Sequence, residues 1–129
     1  MKVSGFKFAH DIGRPINPNN VIGQLEGCIH MGMGYALFEE MHVEKGRILN
    51  PSFLNYKVPT ALEMPKNEIL LVESEDLDAP FGAKECAEGS IAPIAAAIAN
   101  AIYDAIGIRI MSLPITPEKI LKALREVRG

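Results

Sequence analysis

The sequence predicts an α+β domain, with a mixed sheet of about five strands and three helices. Three observations lead there. Short alternating or apolar runs, bounded by Gly, Pro and Asn, recur along the chain and read as strands. Three longer segments carry helix-start or helix-stop residues around apolar side chains at helical spacing. The 129 residues suffice for a single domain, 1–129, with about one hydrophobic core.

The elements follow in order. "KVSGFKFAHDIG" alternates around Val3, Phe6 and Phe8, the period of a strand. "INPNNVIGQLEGCIHMGMGYALFEEM" reads as a helix with Asn17 as N-cap and Pro18 at its first position. Val21, Leu25, Cys28, Ile29, Gly32 and Ala36 fall on one face of it. Its glycines, 23, 27, 32 and 34, each cost about 1 kcal/mol relative to Ala. A helix with that many glycines needs another backbone or a ligand close against it. "MHVEKGRILN" predicts a hairpin turning at Lys45-Gly46. "PSFLNYKVPTALEMPKN" is loop, with Pro51, Pro59 and Pro65. "EILLVES" is a short buried strand. The loop "DLDAPFGAKECAEG" then leads into an apolar helix from about Gly89 to Ile106, stopped by Gly107. "IRIMSLP" reads as another strand. "TPEKILKALREV" is the last helix, with Thr116 as N-cap, Pro117 next, and Ile120, Leu121 and Leu124 as its apolar stripe. No internal repeat or low-complexity tract interrupts this order.

Composition narrows the function. The formal net charge is -3, so no basic face for nucleic acid is expected. No run exceeds the ~18 apolar residues that span a bilayer, and no membrane partner is expected. "MKVSGFKFAHD" has no apolar signal core, which points to a cytoplasmic location. Cys28 and Cys86 lie far apart and form no C-x-x-C pair. No zinc site, iron–sulfur cluster or metal-ligand set on this chain is expected, and both thiols are read as reduced.

Four features could carry chemistry. Glu88 sits where the loop enters the apolar helix. The helix N-terminus favours a carboxylate there, which can act as a general base or merely cap the helix. "PFGAKECAEG" has small residues at 82, 83, 87 and 89. Its backbone N–H groups can meet anionic oxygens, or it can be an ordinary tight connection. Gln24, in "GQLEG", can both donate and accept to a heterocycle or oxo group, or be a surface amide. His10 stands beside Asp11, but no nucleophile completes a dyad; His10, His30 and His42 are read as structural. Neither G-x-x-x-x-G-K-[ST] nor G-x-G-x-x-G is present.

Three motifs in fixed order carry a resemblance: "HDIGRPINPNNVIGQLEGCIHMGMGYALFEE", "PFGAKECAEG" and "PIAAAIANAIYDAIGIRIMSLPITPEKILKAL". Together they resemble the C-terminal end of the molybdenum-binding subunit of the molybdenum hydroxylases, the xanthine dehydrogenase and aldehyde oxidase family. The resemblance runs from about Phe8 to Leu124. It implies that Glu88 is the catalytic glutamate, taking the proton from the oxygen that attacks the substrate carbon. Gln24 would hydrogen-bond the cofactor near the metal. The backbone of Lys84, Glu85, Cys86 and Ala87 would line the molybdopterin, which in this family also occurs in a cytosine dinucleotide form. The chain departs from the family at Glu85-Cys86-Ala87, where Gly-Val-Gly is common, and at Cys28, where a second Gly is common.

The resemblance also implies a division of labour. Family subunits are several times longer, and earlier domains hold the rest of the cofactor site and most of the substrate pocket. The cofactor would be shared with a partner chain bearing the remaining molybdenum-binding portion. FAD and [2Fe-2S] clusters would sit on other subunits. Hydroxylation of an aromatic heterocycle or an aldehyde with water is the implied reaction, not expected of this chain alone. The alternative is a catalytically inactive truncated remnant or isolated domain. A surface of Ile29, Met31, Met33 and Phe81 would then favour self-association.

Overall fold

The computed structural model describes residues 1–74 and 76–128. Its elements are β1 (Gly5–Asp11), α1 (Pro18–Leu37), β2 (Val43–Glu44), β3 (Arg47–Ile48), β4 (Lys66–Val72), a 3-10 turn (Pro80–Gly82), α2 (Glu88–Ile106) and α3 (Pro117–Arg128). The helix boundaries have local causes. Asn17 Oδ1 accepts from the Asn20 N–H at 3.2 Å, and Pro18 follows at the position where a missing N–H costs nothing. Gly107 ends α2 in the left-handed region, φ 72°, and its N–H returns to the Tyr103 carbonyl. Thr116 Oγ1 accepts from the Lys119 N–H at 3.3 Å and starts α3.

β1 and β4 pair in parallel, from Gly5 opposite Lys66 to Asp11 opposite Val72. β2 and β3 form the antiparallel hairpin expected at Lys45-Gly46, both of which adopt positive φ. The described residues thus hold two two-stranded sheets, not one mixed sheet of five. The segment 108–114 is the missing strand. Ile108 and Ile110 alternate locally as a strand would, but a strand needs a neighbour. This stretch instead runs back along the helices and seats buried Ile115, whose N–H reaches the Ala36 carbonyl at 2.6 Å.

The core forms between α1 and α2. Ile29, Met33 and Ala36 meet Ile94 and Ile98, and Phe6, Phe8 and Ile69 cover them from the sheet. Gly32 lets the helices touch, for a Cβ there would overlap the Ile94 side chain. Two expectations change here. Ile29 and Met33 are core residues, so of the suggested association surface only Met31 and Phe81 are exposed. The apolar helix is not enclosed either: Ser90, Ile94 and Ile98 are its buried residues. Only one face of α2 finds a partner in this two-layer arrangement. By length and composition alone, α2 also meets the bar for crossing a membrane.

The glycines of α1 differ in sign. Gly32→Ala should destabilise the fold by about 1–3 kcal/mol through overpacking. Gly23→Ala, where a Cβ meets nothing within 4 Å, should stabilise it by about 0.5–1 kcal/mol. Urea denaturation of the two variants measures both, and shifts of the same sign would contradict this helix contact.

Candidate functional site

The site grows from the end of β1. Successive strand residues face opposite sides, so His10 and Asp11 reach different parts of the loop that precedes α2. The backbone beyond them grips the same loop. Lys84 N–H donates to the Ile12 carbonyl and Arg14 N–H to the Gly82 carbonyl, both at 2.8 Å. Gly13, at φ 58°, sits between them where a Cβ would strike the Gly82 carbonyl oxygen.

Asp11 organises one side. Its Oδ1 accepts from the Gly13 N–H at 3.0 Å and the Ser74 N–H at 3.2 Å. Its Oδ2 receives the Ser74 hydroxyl at 2.5 Å and the Lys84 ammonium at 2.8 Å. Lys84 Nζ also donates to Ser74 Oγ at 2.6 Å. The Lys84 ammonium, then the Ser74 hydroxyl, hold the Asp11 carboxyl well below the usual carboxylate range.

His10 organises the other side. Its Nε2 lies 3.3 Å from the Glu85 carbonyl oxygen and 3.2 Å from Ser90 Oγ. Ser90 is fully buried. Glu85 bends back on its own turn, and its Oε2 accepts from the Ala87 N–H at 2.8 Å. The N–H groups of Glu85 and Cys86 find no acceptor among the described residues. From α1, Cys28 Sγ donates to the Ala87 carbonyl at 3.3 Å. Burial, then the neighbouring Cys86, push the Cys28 thiol up, while a hydrogen bond from Gln24 opposes them.

A groove of about 430 Å³ opens at this junction, lined by Ile12, Asn20, Gln24, Lys84, Cys86 and Ala87 among others. It brings together four of the six residues singled out from sequence. Glu85 and Glu88 are not on its lining. Glu88 is the first residue of α2 and is exposed. Its carboxylate has no hydrogen-bond or ion-pair partner among the described residues, and the N-cap, Ala87, offers no side-chain bond. The backbone-accepting role left open for Glu88 is taken instead by Glu85. Gly23 and Gly27 leave an open, side-chain-free strip on α1, with nothing within 4 Å of either Cβ position.

Sequence reasoning missed Ser74, Ser90 and the site role of His10 and Asp11. The only signal was the adjacency of His10 and Asp11 at a strand end, because their partners lie far along the chain. His30 fits its structural reading: its Nε2 meets the Pro59 carbonyl at 2.9 Å. Among the described residues, no group of three His, Cys, Asp or Glu side chains stands close enough to hold a metal ion.

Residues 1–65 match the family model of a molybdopterin cofactor-binding domain. The chain is 42% identical over 113 residues to the xanthine dehydrogenase molybdenum-binding subunit of Escherichia coli O157:H7, covering 86% of this chain and 15% of that protein. Its fold resembles quinoline 2-oxidoreductase from Pseudomonas putida 86, with TM-score 0.88 and 31% identity over 97% of this chain and 16% of that one. Aldehyde oxidoreductase from Desulfovibrio gigas matches with TM-score 0.86 and 34% identity, over 96% of this chain and 14% of that one. The chain thus spans only about 15% of the length of the curated relative.

The Asp11 ties predict an acid limb. A depressed carboxyl stabilises the fold fully above its ordinary value, about pH 4, and the contribution fades as the pH falls further. Denaturation midpoints between pH 7 and 2 should drop more steeply for the natural chain than for Asp11→Asn. Parallel acid limbs would show that the Lys84–Asp11 pair contributes nothing.

Proposed function

The chain belongs to the family of molybdopterin cofactor-binding domains found in molybdenum-binding subunits, and we propose that it forms the C-terminal part of a molybdenum hydroxylase. In this reading it supplies one wall of the cofactor site and the catalytic base, Glu88. The reaction is hydroxylation of an aromatic heterocycle or an aldehyde, with water as the oxygen source. The remaining molybdenum-binding portion completes the site, and FAD and [2Fe-2S] subunits carry the electrons away.

The observation that supports this best is the join between α1 and α2. The Cys28–Ala87 bond links the helix bearing Gln24 to the residue before Glu88. The residues present suit a large polar cofactor. The strip at Gly23 and Gly27 leaves open space on α1 beside Gln24. The Gln24 amide and the free N–H groups of Glu85 and Cys86 offer donors to oxo, pterin or phosphate oxygens. Lys84 and Glu85 contribute backbone, since their charged ends are engaged by Asp11 and Ser74 and by Ala87 N–H. When bound, the molybdenum cofactor supplies the two-electron redox chemistry.

Glu88 does the proton work. Its carboxylate stands at the N-terminus of α2, on the first residue of the helix. With no internal partner, it is free to accept a proton from the attacking water-derived oxygen. Covering the site with the rest of the subunit excludes solvent and strengthens that interaction.

Co-expression with the remaining subunits should give a complex that contains molybdenum and pterin. Mass analysis of the released cofactor tells the plain pterin from its cytosine dinucleotide. In that complex, Glu88→Gln should lower kcat by about 10²–10⁴-fold with metal content unchanged. Gln24→Ala should instead lower cofactor occupancy. Turnover that survives Glu88→Gln would remove the base assignment, and a complex without metal or pterin would remove the whole reading.

A further inference from the structure

We propose that His10 is the positioning residue for Glu88: from the end of β1, one ring nitrogen holds both ends of the turn that presents this carboxylate. The inference rests on the reading of Glu88 as the base. The turn runs from Glu85 to Ser90, with Glu88 inside it. His10 Nε2 meets the Glu85 carbonyl at its start and Ser90 Oγ at its end. Ser90 N–H also donates to the Ala87 carbonyl at 3.1 Å, so the first turn of α2 is closed on itself and then pinned to the sheet. The ring is well placed to stay put, since it stacks on Phe8 two residues earlier on the same strand face, with centroids 6.0 Å apart.

Among the described residues, His10 is the side chain that ties this turn to β1. Asp11 and Lys84 secure the loop before it begins. Cys28 reaches Ala87 only through a thiol, a weak donor. Glu85 accepts from Ala87 N–H within its own turn, and its other oxygen, Oε1, lies 4.0 Å from the same His10 Nε2. Without His10, the buried Ser90 hydroxyl loses its partner and the turn loses its link to β1. A shift of even 1 Å at a reacting group can cost about 10²-fold in rate.

The test uses the assembled, molybdenum-loaded complex. His10→Ala should lower kcat by about ten- to a hundredfold, with KM and metal content nearly unchanged. His10→Gln, which keeps a polar donor at the same reach, should recover much of the loss. In the cofactor-free complex, hydrogen–deuterium exchange of a peptide spanning 84–90 should rise in His10→Ala and fall back in His10→Gln. If His10→Ala fails to assemble, Ser90→Ala removes the second contact with a change of one oxygen and should show the same pattern more weakly. Full activity and unchanged exchange in these variants would overturn the proposal. So would a loss of metal in proportion to turnover that His10→Gln does not restore. The two readings fail separately: a dead Glu88→Gln beside a fully active His10→Ala sinks only the positioning role, whereas an active Glu88→Gln sinks the base itself.

Discussion

The close approach of α1 and α2 at Gly32 and Ile94 is the constraint on which the rest depends. With no Cβ on Gly32, the Ile94 side chain lies against the helix backbone. The effect propagates at helical spacing. One turn towards the loop, Cys28 on α1 and Ser90 on α2 come into range of the same few residues. Cys28 there bonds the Ala87 carbonyl, and Ser90 turns to His10. One further turn along α1 stands Gln24. The spacing of 24, 28 and 32 thus carries a packing contact into the wall of the groove.

The charged loop at the mouth of α2 has a physical explanation in this frame. Lys84 ties the loop to the strand ends at Asp11 and Ser74, whereas Glu85 acts inside it, on Ala87 N–H. Each satisfies a polar group that a tight loop would otherwise leave exposed to competition from water. Glu88 is the acid that remains outside this network. Two charges thus hold the loop, and a third has no partner among the described residues. Ala87 stands where a glycine is common. The residue needs no positive φ, because its φ is -115°.

Much of this was legible in the sequence. Asn17-Pro18, Gly107 and Thr116-Pro117 mark helix boundaries through purely local bonds, and the structure places the helix ends at those residues. Lys45-Gly46 marked its hairpin for the same reason. Segment 108–114 misled because alternation reports a local preference, whereas a strand is a pairing between distant segments. The burial of α2 was overestimated because an apolar sequence records what a surface avoids, not what covers it here. Gln24 and the stretch Lys84, Cys86 and Ala87 stand in two separate motifs of the sequence, and the fold lines one groove with them. His10, Ser74 and Ser90 were not legible, because their importance exists only once the chain has folded back on itself.

That folding back sets an order of events. β1 and β4 pair in parallel, with partners such as Gly5 and Lys66 roughly sixty residues apart. Neither strand can find its ladder until the intervening helix and hairpin have shortened the path between them. The anchors of the groove are separated further still, Asp11 from Lys84 and His10 from Ser90. On a ribosome, the first half of the site would emerge long before the second. Local helix and hairpin formation come early, and the binding groove is among the last features to appear. The groove is therefore complete only once the backbone topology is in place.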